Sequence, residues 1–213
     1  MSILVEISDF LQRGRAPKVK ELVQQALDQG IDPNTILEEG LLLAMSIVGE
    51  KFKKNEVFVP EVLVAARAMN AGVEILRPHL IASGVTTKGK AVIGTVKGDL
   101  HDIGKNLVAI MLKGAGFEIT DIGTDVDAET FISKAQEIGA NIICMSALLT
   151  TTMPYMGEVI ETLKARGLRD KYIVMVGGAP VTEEFAEQIG ANYYTNDAAS
   201  AAEAAKQAIL AVG

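Results

Sequence analysis

Short apolar runs alternate with helical segments from residue 90 to the end of the chain, and this alternation constrains the fold more than any other feature. The runs KAVIGTV, FEITDIG, NIICMSALL, KYIVMVGG and ANYYTN are predicted to be strands, because they are short and rich in β-branched or aromatic residues. Strands that alternate with helices predict a doubly wound parallel sheet of the flavodoxin or Rossmann-like type. In such sheets ligands bind beyond the carboxyl ends of the strands, where the strand order reverses.

Residues 1–85 carry a helical period instead. Apolar residues recur at three- and four-residue spacing in stripes over Val19–Leu27, Leu37–Phe52 and Val62–Leu76. Together with a short first helix around residues 3–13, these stripes predict a four-helix bundle with brief loops.

Residues typical of helix ends and loops support these boundaries. Asp32 before Pro33 predicts a helix N-cap followed by proline in the first turn, and Pro60 predicts another helix start. The small and polar stretch ASGVTTKGK, residues 82–90, is typical of a linker. The sequence therefore predicts a helical domain over residues 1–85 and an α/β domain over residues 90–213.

Composition and charge argue against several classes of protein. A net charge of -7 and a pI near 5.0 disfavour a nucleic-acid partner or an anionic membrane, since phosphate surfaces attract basic patches. No apolar window is long enough for a membrane span, and the N-terminus does not resemble a signal peptide. The single cysteine, Cys144, excludes an internal disulfide and is expected to be a buried small hydrophobe. These features favour a reducing cytoplasm.

The loop after the first strand reads GDLHDIGKN and carries the most informative chemistry. Asp99 lies two residues before His101, and Gly104 opens the next helix. A carboxylate so placed can accept the hydrogen of one imidazole nitrogen, which fixes the tautomer and raises the basicity of the other nitrogen. This arrangement is usual behind a metal-bound histidine, and Gly104 permits a close approach of a ligand to the backbone.

Other interpretations of this loop stay open at this point. His101 can be an ordinary solvated or hydrogen-bonded residue, and Asp99 with Asp102 can form a divalent-cation site. Zinc is a poor alternative, because a second histidine, His79, exists but no cysteine or histidine near His101 completes a zinc set. A single protein ligand suits a metal whose other ligands come from a macrocycle.

Three segments of the α/β half resemble one known family. Asp99–Gly104 matches the Asp-x-His-x-x-Gly signature of cobalamin-binding domains, and the string GDLHDIGKNLV is similar to the methyltransferase branch of that family. Ser146–Thr150, after the third strand, resembles the family's Ser-x-Leu-x-Thr segment, and Gly177 and Gly178, after the fourth strand, resemble its Gly-Gly turn. All three segments fall in loops that a doubly wound sheet brings to its ligand crevice.

The resemblance implies a role for each segment. It implies that His101 replaces the cofactor's own base as the lower ligand of cobalt and that Asp99 orients it, so these two are the candidate catalytic residues. The hydroxyls of Ser146 and Thr150 are expected to line a channel for the nucleotide tail, which passes close to the backbone of the glycine pair. The alternative is helix capping by the two hydroxyls and an ordinary tight turn at the glycines. The residues expected around the cofactor are Asp99, His101, Asp102, Ile103, Gly104, Ser146, Leu148, Thr150, Thr152, Gly177 and Gly178.

Thr152 occupies a position of special interest. Family members related to methionine synthase extend the relay from the aspartate to a serine, six residues after the position of Ser146. Threonine stands there in this chain, so the relay is expected either to use another hydroxyl or to be altered.

The helical half also resembles part of this family. Gly49–Phe52 and Ala65–Met69, with the segment around Phe58, resemble the helical cap that precedes the cobalamin domain in methyltransferase corrinoid proteins. The resemblance therefore covers nearly the whole chain. It implies that the bundle shields the upper face of the corrin, with Phe58 and Met69 as candidate contacts and the linker at 82–90 as a hinge. The alternative for both side chains is the bundle core.

The resemblance implies a methyl carrier that has no turnover of its own. A donor-specific methyltransferase places a methyl group on cob(I)alamin, and a second methyltransferase passes it to an acceptor such as a pterin or a thiol, with a reductive activator as a further partner. Methylamines, methanol, methoxylated aromatics and betaines all stay open as donors. The alternatives are a cobalamin-binding subunit of an adenosylcobalamin mutase, a corrinoid-dependent sensor, and a flavodoxin-like module without a metal.

Overall fold

The computed structural model describes residues 2–83 and 87–212. The chain divides into two compact units, one made of the residues up to Thr87 together with Gly114–Gly116, and one made of Lys88–Lys113 and the residues from Phe117 onward. The predicted linker at 82–90 includes residues 84–86, which lie outside the described residues, so the predicted domain limits stay a prediction. No helix in the described part of the chain is long and apolar enough to cross a membrane.

The N-terminal unit is entirely helical in residues 2–83. Its helices are α1 (Ile3–Gln12), α2 (Ala16–Asp28), α3 (Pro33–Thr35), a π-helix (Ile36–Leu42), α4 (Leu43–Lys53) and α5 (Val59–Ala82). The segments from α3 to α4 follow one another without a break and form one rod, so the predicted bundle of four helices is confirmed. Its core consists of the predicted apolar stripes, since Val19, Val23, Leu41, Met45 and Leu76 are buried.

The predicted helix starts are confirmed. The side chain of Asp32 accepts a hydrogen bond of 3.0 Å from the Thr35 N–H, and Pro33 occupies the first turn. Helix α5 begins at Val59 with Pro60 in its first turn, and the Phe58 N–H donates to the Glu61 carboxylate over 3.0 Å. These bonds satisfy backbone groups that the first turn of a helix leaves unpaired.

The π-helix is a departure from the uninterrupted period that the sequence predicts over Leu37–Phe52. The stripe continues through it, since Leu41, Leu42 and Met45 are buried, whereas Leu43 is 52% exposed. Gly40 lies within it, and a Cβ there would be 3.2 Å from the Ile7 side chain. Close packing of α1 against this segment explains why a small residue stands at that position.

The C-terminal unit is a parallel sheet with helices, as predicted. Its strands are β1 (Lys90–Thr95), β2 (Glu118–Asp121), β3 (Ile142–Ser146), β4 (Ile173–Gly177) and β5 (Tyr193–Tyr194). Its helices are α6 (Ile103–Gly114), α7 (Ala128–Ile138), α8 (Pro154–Ala165), α9 (Glu183–Ile189) and α10 (Ala198–Val212), with a 3₁₀ turn at Arg169–Lys171. The strand order in residues 87–212 is β2-β1-β3-β4-β5, the flavodoxin-like order, which reverses between β1 and β3.

The core of this unit lies against the central strands. The large side chains of Phe131, Ile132, Met156, Ile160 and Leu163, from α7 and α8, pack with apolar residues of β1, β3 and β4. Cys144 on β3 is buried as predicted, and burial raises the pKa of its thiol to about 12. The central strands therefore pack on a buried apolar core, and the loops that carry the predicted site follow their carboxyl ends.

Candidate functional site

The strand register brings the three predicted segments to one edge of the sheet. Thr95, at the end of β1, is paired with Ser146 on β3, and Ser146 is paired with Gly177 on β4. The loops after these strands therefore start side by side at the point where the strand order reverses. The structure confirms that the sequence segments lie together, although they are separated by dozens of residues along the chain.

A tight turn at the end of β1 carries the candidate ligand. The Asp99 N–H donates to the Val96 carbonyl over 3.1 Å, and Gly98 takes a φ of +79°, which a type II turn places at its third residue. The buried Thr95 hydroxyl then donates to the His101 carbonyl over 2.8 Å. Hydrogen bonds from the strand and within the turn therefore hold the backbone on both sides of Asp99.

Asp99 is the centre of the hydrogen-bond network at this edge. Its side chain is fully buried. One carboxylate oxygen, Oδ1, accepts from the His101 N–H at 3.1 Å and contacts His101 Nδ1 at 2.7 Å. The other, Oδ2, accepts from Leu148 N–H at 2.7 Å, from Leu149 N–H at 3.2 Å and from the Thr152 hydroxyl at 2.8 Å. The carboxylate thus joins the loop after β1 to the loop after β3.

These hydrogen bonds keep Asp99 ionised. Burial alone would raise the pKa of the carboxyl, but the donors from Leu148, His101 and Thr152 favour the charged form and together hold the pKa of Asp99 well below its usual range. An ionised carboxylate only accepts hydrogen bonds, so the hydrogen between Asp99 and the ring belongs to His101 Nδ1. In the neutral imidazole, this leaves the lone pair on Nε2, which is the nitrogen that can bind a metal.

The imidazole is accessible. The side chain of His101 is 51% exposed, although Asp99 beneath it is fully buried. Apolar side chains beside the ring in sequence and on the neighbouring loop are also exposed: Leu100 at 73%, Ile103 at 79%, and Leu148 and Leu149 at 41% each. Exposed apolar side chains on the segments next to one polar ligand suit a large and mostly apolar group.

Gly104 adds a second sign of a ligand. It lies in α6, its φ is not in the left-handed region, and a Cβ built there would meet no protein atom within 4 Å. Neither backbone conformation nor packing inside the chain therefore requires glycine at this position. Open space at a glycine beside His101 is what the predicted close approach of a cofactor needs.

The remaining predicted residues lie near this edge, but their contacts do not indicate a specific role. Asp102 is exposed, and its side chain accepts from the Asn106 amide over 3.1 Å at the start of α6. Ser146 is half-buried at the end of β3, and Thr150 is exposed in the following loop. The roles predicted for these side chains toward a nucleotide tail stay predictions.

The glycine pair after β4 has a reason within the fold. Gly178 takes a φ of +131°, and a Cβ there would lie only 1.9 Å from the Ala147 carbonyl oxygen. A Cβ at Gly177 would be 3.3 Å from the Thr195 carbonyl. The close approach of the β3 and β4 loops therefore demands glycine at position 178, whatever its role toward a cofactor.

The two cap residues behave differently. Phe58 precedes α5 and is 63% exposed, whereas Met69 is 3% exposed and lies on the buried stripe of α5. The exposed ring of Phe58 is free to contact a cofactor or a partner, and the burial of Met69 fits the bundle-core alternative. Neither contact with a corrinoid is tested, so both stay predictions.

Thr95, Asp125 and Leu149 belong to the network but were not predicted, and Leu148 was predicted only as a residue near the cofactor. Thr95 and Asp125 hold the turn around Asp99, and the amides of Leu148 and Leu149 bind its carboxylate. A hydroxyl at the end of a strand is a weak signal for Thr95. The amides carry no sequence signal, because any residue except proline supplies one. Within residues 2–83 and 87–212, no three His, Cys, Asp or Glu side chains are grouped to hold a metal ion, which gives the divalent-cation alternative no support.

A buried carboxylate that holds a half-exposed imidazole at the switch point of a flavodoxin-like sheet defines a cofactor-binding α/β protein. Comparison with known families makes the class specific. A model of the B12 binding domain matches residues 89–206, and a second B12 binding domain model matches residues 3–77. The chain therefore belongs to the B12-binding family of corrinoid proteins.

Individual relatives match nearly the whole of this chain. A corrinoid protein of Desulfitobacterium hafniense is 44% identical over 210 residues, which cover 97% of this chain and 97% of that protein. Dimethylamine corrinoid protein 2 of Methanosarcina mazei is 45% identical over 209 residues, 98% of this chain and 97% of that protein. The crystal structure of the methanol:cobalamin methyltransferase complex from Methanosarcina barkeri contains a chain that matches with a TM-score of 0.86 and 32% identity, over 98% of this chain and 80% of that chain.

Proposed function

We propose that this protein carries a methyl group on a bound corrinoid between two methyltransferases. The observation that supports this function most strongly is the Asp99–His101 pair, in which a buried carboxylate fixes the tautomer of an accessible imidazole. The names of its relatives support the same function, since they include a dimethylamine corrinoid protein and a methanol:cobalamin methyltransferase complex. When bound, the corrinoid supplies a cobalt centre that takes up and gives away a methyl group.

In this proposal, His101 would hold the cobalt of the corrinoid through Nε2. Asp99 keeps the Nδ1 hydrogen in place and increases the electron density on the free nitrogen. Because other hydrogen bonds keep the Asp99 carboxylate ionised, it would stay available to accept the Nδ1 hydrogen while Nε2 holds the metal.

Thr152 extends this pair in the way that the sequence left open. Its hydroxyl lies 2.8 Å from Asp99 Oδ2 and 2.9 Å from the Leu149 carbonyl, so its one hydrogen has two competing acceptors. We propose that this hydroxyl extends the relay from Asp99, at the position where family members related to methionine synthase have a serine. Ser146, Thr150 and the glycine pair are the proposed lining of the nucleotide channel.

The partners follow from the proposed role. The Methanosarcina barkeri relative comes from a methyltransferase complex, which supports a methyltransferase as a partner here. A donor-specific enzyme, an acceptor enzyme and a reductive activator are the partners we propose, and the cytoplasm is the proposed location. The mutase alternative gains no support from the relatives, which are corrinoid proteins of dimethylamine and methanol systems.

An absorption spectrum tests this function. The purified protein is incubated with hydroxocobalamin, passed over a gel-filtration column and examined beside His101→Ala. His79→Ala is the matched control, because the chain has only two histidines and His79 is exposed on α5. We expect a histidine-ligated spectrum in the wild type and the control, and a base-off spectrum in His101→Ala. A wild type that retains no corrinoid, or a His101→Ala protein with an unchanged spectrum, would contradict the proposal.

A further inference from the structure

We propose that Asp125 is a positioning residue that clamps the turn carrying Asp99 and thereby sets the orientation of His101. This inference rests on the proposed function, because it assigns a purpose to the orientation of that ring. Asp125 lies in the loop between β2 and α7, and it does not belong to the signature that the family resemblance identifies. Its hydrogen bonds to the site, in the described part of the chain, go to the backbone of Gly98 and Asp99.

Two hydrogen bonds form the clamp. Asp125 Oδ1 accepts from the Gly98 N–H over 2.7 Å, and the Asp125 N–H donates to the Asp99 carbonyl over 3.0 Å. The two bonds bind successive residues of the same turn from the neighbouring loop. Asp125 thus holds the turn at Gly98 and Asp99, the residues that set the position of the Asp99 carboxylate.

The backbone of Asp125 is adapted to this task. Its φ is +56°, in the left-handed region that few residues other than glycine, asparagine and aspartate adopt. That conformation presents the Asp125 N–H and its own carboxylate to the same turn. The following residue, Val126, is bridged to Val96, which anchors the clamp to the sheet.

The clamp has a direct consequence for His101. The Asp99 carboxylate reaches the ring and the loop after β3 only if the turn keeps its shape. Gly98 has no side chain to stabilise that shape, and its φ of +79° is one of many that glycine can adopt. Loss of the bond to the Gly98 N–H therefore loosens the turn, although the bond from the Asp99 N–H to the Val96 carbonyl remains, and it weakens the contact between Asp99 and the imidazole.

Three substitutions of Asp125 distinguish the effect of its backbone conformation from the effect of its carboxylate. Asp125→Gly keeps the left-handed φ and the N–H donor but removes the acceptor for Gly98. Asp125→Asn keeps both the conformation and an acceptor oxygen, and it is the matched control. Asp125→Ala removes the acceptor and disfavours the conformation, so it is expected to be the most damaging.

The first measurement uses the protein without cofactor. Amide exchange of the Gly98 N–H and the ¹⁵N chemical shifts of the His101 ring are recorded by NMR. In Asp125→Gly we expect exchange at Gly98 to accelerate about tenfold, the upper range for one hydrogen bond, and the His101 nitrogens to shift toward a mixture of tautomers. Asp125→Asn should resemble the wild type in both respects.

The second measurement uses bound cobalamin. The pH at which the spectrum changes from histidine-ligated to base-off is titrated for each variant. A less well oriented ring competes less well with the proton, so the midpoint should rise by up to about one pH unit in Asp125→Gly. Unchanged ring shifts in cofactor-free Asp125→Gly, or equal damage in Asp125→Asn and Asp125→Gly, would overturn the inference. Absence of histidine ligation in the wild type would instead refute the proposed function, while the cofactor-free measurement still decides the clamp.

Discussion

Lys105 and Asp121 form an ion pair whose two ends differ in their access to water. The side chain of Lys105 is 3% exposed, whereas that of Asp121 is 37% exposed. Lys105 Nζ contacts both carboxylate oxygens of Asp121, and one of them also accepts from the Gly123 N–H over 2.9 Å. The pair links the first turn of α6, just after the His101 loop, to the end of β2.

This difference predicts an asymmetric effect of removing either partner. Asp121→Ala leaves a buried ammonium without its partner, which costs about 3–5 kcal/mol of unfolding free energy. Lys105→Met keeps the apolar stem and leaves a carboxylate that water can still reach, so its cost should be about 1 kcal/mol, near that of an exposed pair. In the double variant no buried charge remains, and we expect it to be at least about 2 kcal/mol more stable than Asp121→Ala alone.

Tyrosine fluorescence can measure the stability of the two single variants and the double variant. It has no tryptophan and four tyrosines, and all of them lie in the C-terminal unit: Tyr155, Tyr172, Tyr193 and Tyr194. Tyrosine fluorescence during urea denaturation of the cofactor-free protein therefore reports the unfolding of that unit. The reasoning is refuted if Lys105→Met destabilises as much as Asp121→Ala, or if the double variant loses the sum of the two single effects.

Two further predictions use the same tyrosine signal. Gly178→Ala should lower the free energy of unfolding by at least about 3 kcal/mol, because its Cβ would overlap the Ala147 carbonyl and the φ of +131° is strained for alanine. The control is Gly167→Ala, where the φ is +65° and the surrounding space is open, and it should cost only about 1–2 kcal/mol. Equal losses in the two variants would contradict a clash at Gly178. Asp99→Asn should lose about 2 kcal/mol at neutral pH through weakened charge-assisted hydrogen bonds. Because the pKa of Asp99 is lowered in the folded protein, the ionised carboxylate contributes its full stability above the ordinary pKa of 3.8, and this stability is lost as the pH falls toward the lowered pKa. Asp99→Asn should therefore lose less stability on acidification than the wild type. Parallel curves of unfolding free energy against pH for the two proteins would contradict this.

The sequence predicted the elements of the fold well because their signals are local. Alternation of apolar runs with helical segments identified each strand, and Asp32 with Pro33 identified a helix start from neighbouring residues alone. The Asp99–His101 contact was predictable for the same reason, since the two residues are separated by one position in a loop. Local patterns fix local geometry whenever no distant part of the chain competes.

The rest of the network depends on the register between distant strands. Leu148 and Thr152 reach Asp99 only because β1 and β3 are neighbours and Thr95 is paired with Ser146. Asp125 reaches the turn because Val96 is bridged to Val126 beside it. The π-helix was missed because the buried apolar residues of the stripe continue at helical spacing on either side of it. Each of these features arises from packing between segments, which a linear pattern does not record.

Two of the predicted glycines show how the structure distinguishes a glycine that the fold requires from one that a ligand would require. Both Gly104 and Gly178 were expected to let a cofactor approach the backbone. At Gly178 a side chain would collide with the Ala147 carbonyl, so the fold alone accounts for glycine there. At Gly104 a Cβ would meet no protein atom within 4 Å, and the φ does not demand glycine either. A glycine that the chain itself does not need, beside an imidazole whose free nitrogen is accessible, is therefore the stronger argument for a group that the chain is built to receive.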